Sequence, residues 1–125
     1  MEKKHKKQFG IWMDNVKATV LGRDETNPDQ FTILAHIHRP DDIKHSSEHS
    51  ANNAEKTIQE KFFKEIAHHM QNAEEVHVTG PGKAQEQFIH FMEATPQFKR
   101  VKSDQSTTNE MTDDKLLEFI SEKFN

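Results

Sequence analysis

Apolar and polar residues alternate from Phe9 to Asp14, with Phe9, Ile11 and Met13 on one side of an extended chain and Trp12 on the other. That is the period-two spacing of a β-strand. Val16 to Arg23 continues in the same rhythm, and Asp14-Asn15 between the two runs has the composition of a tight hairpin turn. Both residues tolerate left-handed backbone and hydrogen-bond their own main chain, so the first two strands are expected to be antiparallel neighbours. After the loop Asp24-Glu25-Thr26-Asn27-Pro28-Asp29, Phe31, Ile33, Ala35 and Ile37 recur at every second position and stop before Pro40. This predicts a third strand and a three-stranded meander.

The period then lengthens. Ile58, Phe62, Ile66 and Met70 recur at four-residue steps with Phe63 and Ala67 beside them, a broad apolar helical stripe able to cover a sheet. Glu75-Val76-His77-Val78-Thr79 reads as a short buried strand, followed by a helix from about Ala84 to Glu93 that turns Phe88, Phe91 and Met92 inward. Pro96 ends that unit, Phe98 to Lys102 is expected to be a further strand, and Gln105 to Met111 a polar linker. Thr112-Asp113-Asp114 is a good helix start, because the threonine can cap and the carboxylates meet the positive helix end. Leu116, Leu117, Ile120 and Phe124 give that last helix its buried face. The order predicts an α/β fold of about five strands, an antiparallel meander plus two parallel strands, flanked by three helices.

Between meander and first helix, Pro40 to about Asn53 is polar, rich in serine, histidine and aspartate, and without periodicity, so it reads as an exposed loop. A chain of 125 residues fits one domain, here residues 8–125, and 32% apolar against 30% charged residues implies a small core under a well-solvated surface. No apolar run is long enough to span a bilayer and the start is not followed by a signal-peptide stretch, so no membrane partner and a cytoplasmic location are expected. The chain lacks cysteine, which excludes disulfides, thiolate metal sites and a cysteine nucleophile. Net charge is −4, yet residues 1–7 form a basic tail with Lys3, Lys4, Lys6 and Lys7, leaving about −7 on the body. The tail can meet RNA or an acidic surface, or simply solubilise the terminus.

The most informative segment for function is Gly80-Pro81-Gly82-Lys83, which joins the strand at 75–79 to its helix. Gly80 and Gly82 permit positive φ or a close backbone approach, Pro81 fixes φ between them, and free N–H groups of the new helix stand beside Lys83. Together they favour an anion such as phosphate. A nucleotide-binding phosphate loop needs a longer glycine-bounded run ending Gly-Lys-Ser/Thr, whereas Lys83 precedes Ala84, so nucleotide hydrolysis is disfavoured and no cofactor is expected. The alternative use of both glycines is to turn a strand sharply into its helix.

Other chemistry is weaker. His36 and His38 share a strand face and His45 and His49 follow in the loop, a spacing that permits zinc or nickel, although solvated histidines are the simpler reading. Charged below neutral pH, they would instead make the loop cationic toward RNA. Asp14 at the end of the first strand could serve a magnesium-dependent nuclease, but no second inward carboxylate is apparent and turn geometry explains it as well. Trp12 could stack a base or pack beneath a helix.

The segments Phe9-Gly10-Ile11-Trp12-Met13-Asp14-Asn15 with Ala18, Val78-Thr79-Gly80-Pro81-Gly82-Lys83-Ala84, and Met111-Thr112-Asp113 before a helix ending in Phe124 follow a familiar order. In these the chain resembles the middle domain of archaeal and eukaryotic class 1 peptide-chain release factors and Pelota, and more closely the small bacterial relatives often labelled translational machinery proteins. The resemblance covers about Phe9 to Phe124 and implies a ribonuclease-H-like mixed sheet. Release factors carry a Gly-Gly-Gln tip in the loop after the third strand; Pro40 to Asn53 contains neither glycine nor glutamine, so peptide release by that tip does not carry over. The resemblance thus implies a non-catalytic ribosome- or RNA-associated protein. A magnesium-dependent nuclease or other hydrolase on the same scaffold, and a small anion or metal sensor, are the alternatives.

Overall fold

The period-two runs become strands and the period-four runs become helices in the computed structural model of the chain. It describes residues 6–40 and 48–125, with side chains in the second segment from Lys56 onward. The elements are β1 (Gln8–Met13), β2 (Lys17–Arg23), β3 (Phe31–His38), α1 (Glu48–His68), β4 (Glu75–Gly80), α2 (Ala84–Glu93), a 3-10 turn (Pro96–Phe98), β5 (Lys102–Thr107) and α3 (Asp113–Phe124). They build one sheet in the order β3-β2-β1-β4-β5. The meander β1–β2–β3 is antiparallel, and β4 and β5 run parallel to β1. The expected mixed sheet of five strands with three helices is formed.

Both faces of the central strand are buried, which explains why β1 is apolar at nearly every position. On one face Phe9, Ile11 and Met13 join Val20, Ile37, Val76 and Val78 under α1 and α2, through Phe62, Phe63, Ile66, Phe88 and Met92. On the other, Trp12, Leu21 and Phe31 pack against Leu116 and Ile120 of α3. Each fully buried large side chain contributes about 1.5–3 kcal/mol, so the two layers are held chiefly by burial.

Four expectations need correction. The alternation of Phe31, Ile33, Ala35 and Ile37 implies one shared face, but the β2–β3 register shifts between Val20 and Leu21. Leu34 is the extra residue; Ile37 and Ala35 therefore join the α1–α2 layer while Phe31 and Ile33 join the α3 layer. The fifth strand is Lys102–Thr107 rather than Phe98–Lys102, because Phe98 is the buried end of a 3-10 turn and an edge strand does not need an apolar face. Gln105–Thr107, read as linker, is thus strand. Finally α1 begins at Glu48, so the end of the polar loop at 48–53 is helical; residues 41–47 lie outside the described residues.

Candidate functional site

At the C-terminal end of β4 the chain bends toward α2. Gly80 is buried, and a Cβ placed on it would run into the carbonyl oxygen of Met13 on β1. Close backbone approach is therefore what demands glycine there; no described glycine has positive φ. The Gly80 carbonyl is occupied internally, accepting from Thr108 N at 2.8 Å and from Gln85 Nε2 at 2.8 Å. Pro81, Gly82 and Lys83 are exposed, and a Cβ on Gly82 would meet nothing within 4 Å. Lys83 occupies the N-cap of α2 with φ −93 and ψ −9, and no side chain caps the helix. The first-turn amides have no intrahelical acceptor, so the end retains partial positive charge beside the Lys83 ammonium. Gln85 anchors this end: its Nε2 also donates to Ser106 O at 3.2 Å, while its Oε1 is buried without a hydrogen-bond partner. Of the three expected anion contacts, Gly82 and Lys83 face outward and Gly80 faces inward.

The other expected anion-binding residues lie elsewhere. Because β1 and β4 are parallel and paired from Gln8↔Glu75, Lys6 and Lys7 sit at the start of β4, one strand length from the turn at its end. Six residues at about 3.3 Å each make that separation roughly 20 Å. Lys6 Nζ pairs with Glu75 Oε2 at 3.1 Å, and Lys7 N donates to Glu74 Oε1 at 2.8 Å. The Glu75 carboxylate is held below its ordinary pKa by the hydrogen bond from Gln8 and by Lys6 and Lys102, against the opposing effect of burial. Lys3 and Lys4 are outside the described residues.

His36 Nε2 lies 2.9 Å from Asp113 Oδ2, tying β3 to the start of α3, and His38 is exposed. His45 and the side chain of His49 are outside the described residues, among which no group of three or more histidines and carboxylates could hold a metal. Asp14 Oδ1 accepts from Val16 N and Lys17 N, both at 2.9 Å, so the carboxylate closes the β1–β2 hairpin. Trp12 is 4% exposed and donates from Nε1 to Asn109 O at 3.2 Å beneath α3, which removes the base-stacking reading.

One polar group was not foreseen. Parallel pairing of His77↔Asp104 and Thr79↔Ser106 brings four polar side chains onto one face of β4 and β5. His77 Nε2 is 2.8 Å from Ser106 Oγ, and Nδ1 is 3.8 Å from Asp104 Oδ2. Thr79 Oγ1 lies 2.8 Å from Ser106 Oγ and 2.9 Å from Thr108 Oγ1. Burial lowers the His77 pKa, nearby Lys123 lowers it further, and Asp104 opposes both. The signal in the sequence was a histidine between two valines of a buried strand.

Comparison with protein-family models and with curated protein sequences gives no match. Solved structures do match. Over 96% of its length the chain superposes on Pelota from Archaeoglobus fulgidus with a TM-score of 0.62 and 12% identity, covering 32% of that protein. Pelota from Thermoplasma acidophilum gives 0.58 and 16% over 93% of this chain and 32% of the other. An archaeal translation termination factor, aRF1, gives 0.55 and 15% over 93% of this chain and 34% of the other. The chain therefore spans about a third of each of these proteins, and the likeness is one of fold.

Proposed function

We propose that the protein is a non-catalytic ribosome- or RNA-associated module of translation, acting in the cytoplasm. The observation that carries this reading is that nearly the whole chain shares its fold with one portion of Pelota and of a translation termination factor. The outward Gly82 and Lys83 at the uncapped start of α2 supply one contact for a phosphate-rich surface. Lys6 and Lys7 supply a second at the far end of β4; Lys3 and Lys4, which precede them in the sequence, add positive charge to the same tail. No Gly-Gly-Gln sequence stands between β3 and α1, so the role is binding rather than peptide release.

Co-sedimentation with ribosomes over a range of salt tests the reading. Wild-type protein is expected to sediment with ribosomes at low salt and to be released as salt rises, and Lys83→Glu to bind more weakly with a salt slope smaller by about 1. Absence of wild-type protein from the ribosomal fractions at low salt overturns the function. Wild-type binding that Lys83→Glu leaves unchanged removes the turn from it.

A further inference from the structure

A cavity bordered by Lys7 lies a strand length away from the α2 turn, and the strand register shows how it arises. Phe9 pairs with Gly22 and Gly22 with Thr32, a row that crosses β1, β2 and β3 on the side of the sheet covered by α1 and α2. α1 stops at His68, and His69 and Gln71 of the turn that follows border the row from that end. The space left between them measures about 540 Å³, the size of a small-molecule site.

Two positions shape its floor. Gly22 contributes no side chain, and a Cβ there would meet Leu34 Cδ1 at 2.8 Å and Phe9 Cε1 at 3.1 Å. The bulge in β3 turns Leu34 onto this face, beside Phe9, although Leu34 is the residue that the β2–β3 ladder leaves out. Leu34 is 40% exposed, and apart from Val16 in the first hairpin no other large apolar side chain among the described residues is so open. With Phe9 and Pro28 it lines the cavity with apolar surface.

The rim carries Lys6, Lys7, Arg23 and His69 against Asp24 and Glu25. Several of these are already engaged: Lys6 with Glu75, Arg23 with Gln8, Pro28 O, Asp29 O and Asn125, and Asp24 with Thr26. Gln71 Nε2 donates to His68 O at 3.1 Å, covering one of the carbonyls that make the end of α1 negative. Lys7 donates from its backbone to Glu74, while its ammonium has no partner among the described residues and is the cation left for a ligand. That charge selects an anion, and the floor selects an apolar body. We propose that the cavity binds a small organic carboxylate, its apolar body against Phe9 and Leu34 and its carboxylate on Lys7. Lys7 serves the proposed ribosome contact as well, but occupation of the cavity needs no ribosome.

The test is titration of the purified protein, without ribosomes, with decanoate below its micelle concentration, followed through the Leu34 methyl and Gly22 amide NMR signals. Saturable shifts of both are expected, with weaker binding of decanol, which lacks the charge, and of decylammonium, which reverses it. Lys7→Gln is expected to weaken decanoate binding by about twofold to fivefold, the worth of one exposed ion pair. Leu34→Gln is expected to weaken it by about fivefold through lost apolar contact. Both side chains are exposed, so neither change threatens the fold. Absence of shifts at Leu34 and Gly22, equal affinity for decanol or decylammonium, or unchanged decanoate affinity in either variant overturns the proposal. Leu34 shifts that grow with protein concentration in the absence of decanoate would assign the cavity to a second copy of this chain, and overturn it as well.

Discussion

At Gly80 a single missing methyl group lets β1 and β4 run side by side, because a Cβ there would occupy the place of the Met13 carbonyl oxygen. The obstacle is backbone and cannot rotate away. Gly80→Ala is therefore expected to destabilise the fold by about 1–3 kcal/mol or more, read as a lower urea midpoint. Gly82 makes the opposite case with the same chemistry: nothing lies within 4 Å of its would-be Cβ and its φ is not positive. Gly82→Ala is expected to leave the midpoint unchanged or raise it by up to about 1 kcal/mol through a less disordered unfolded chain. Equal losses at the two positions would show that the turn is packed as tightly as the strand. The pair also separates glycine kept for packing from glycine available to a partner, a distinction that two glycines flanking a proline do not reveal in the sequence.

Elements were legible where one periodicity held for their full length. The apolar alternation of β1, the stripe of α2 and the capped start of α3 each settled type and place, and Thr112 does accept from Lys115 N at 3.3 Å. Thr112→Ala is expected to cost about 0.5–1 kcal/mol, seen as a few degrees of melting temperature, since α3 is held mainly by Leu116 and Ile120 rather than by its cap. A loss of several kcal/mol would mean that the helix depends on its first turn. Elements failed where the period was broken or absent. The inserted Leu34 switches faces within β3 without disturbing the spacing of its neighbours, and β5 reads Lys-Ser-Asp-Gln-Ser-Thr, a strand ordered by its ladder to β4. Asp104 Oδ1 accepts from Gln105 N at 2.9 Å, occupying one outward amide of that edge and making it a poorer template for another strand. The candidate turn could be located from residues alone. The His77–Ser106 contact could not, because it depends on the register between two strands separated by α2.

Across the whole molecule, acid acts on one buried histidine and on carboxylates nearer the surface. Its effect can be assigned by sign. His77, sealed by β5 on one side and α3 on the other, has a folded pKa below its ordinary 6.5, so the unfolded chain binds the proton more readily. Stability then falls as pH drops through 6.5, and the loss stops growing below the folded pKa. Glu75, at the far end of β4, has a folded pKa below its ordinary 4.5. Its contribution is complete above 4.5 and is lost as pH falls through the folded value; Asp24, lowered by its bonds to Thr26, acts in the same sense below 3.8. Melting temperature is therefore expected to decline in two stages, a first below pH 6.5 that His77→Gln flattens and a second below pH 4.5 that Glu75→Gln flattens. The first stage reports the layer between sheet and α3, the second the Lys6–Glu75–Gln8 contact joining the starts of β1 and β4. A His77→Gln protein whose melting temperature follows the wild-type curve from pH 7.5 to 5 would show that the imidazole takes up its proton in place, and hence that α3 does not seal it from water.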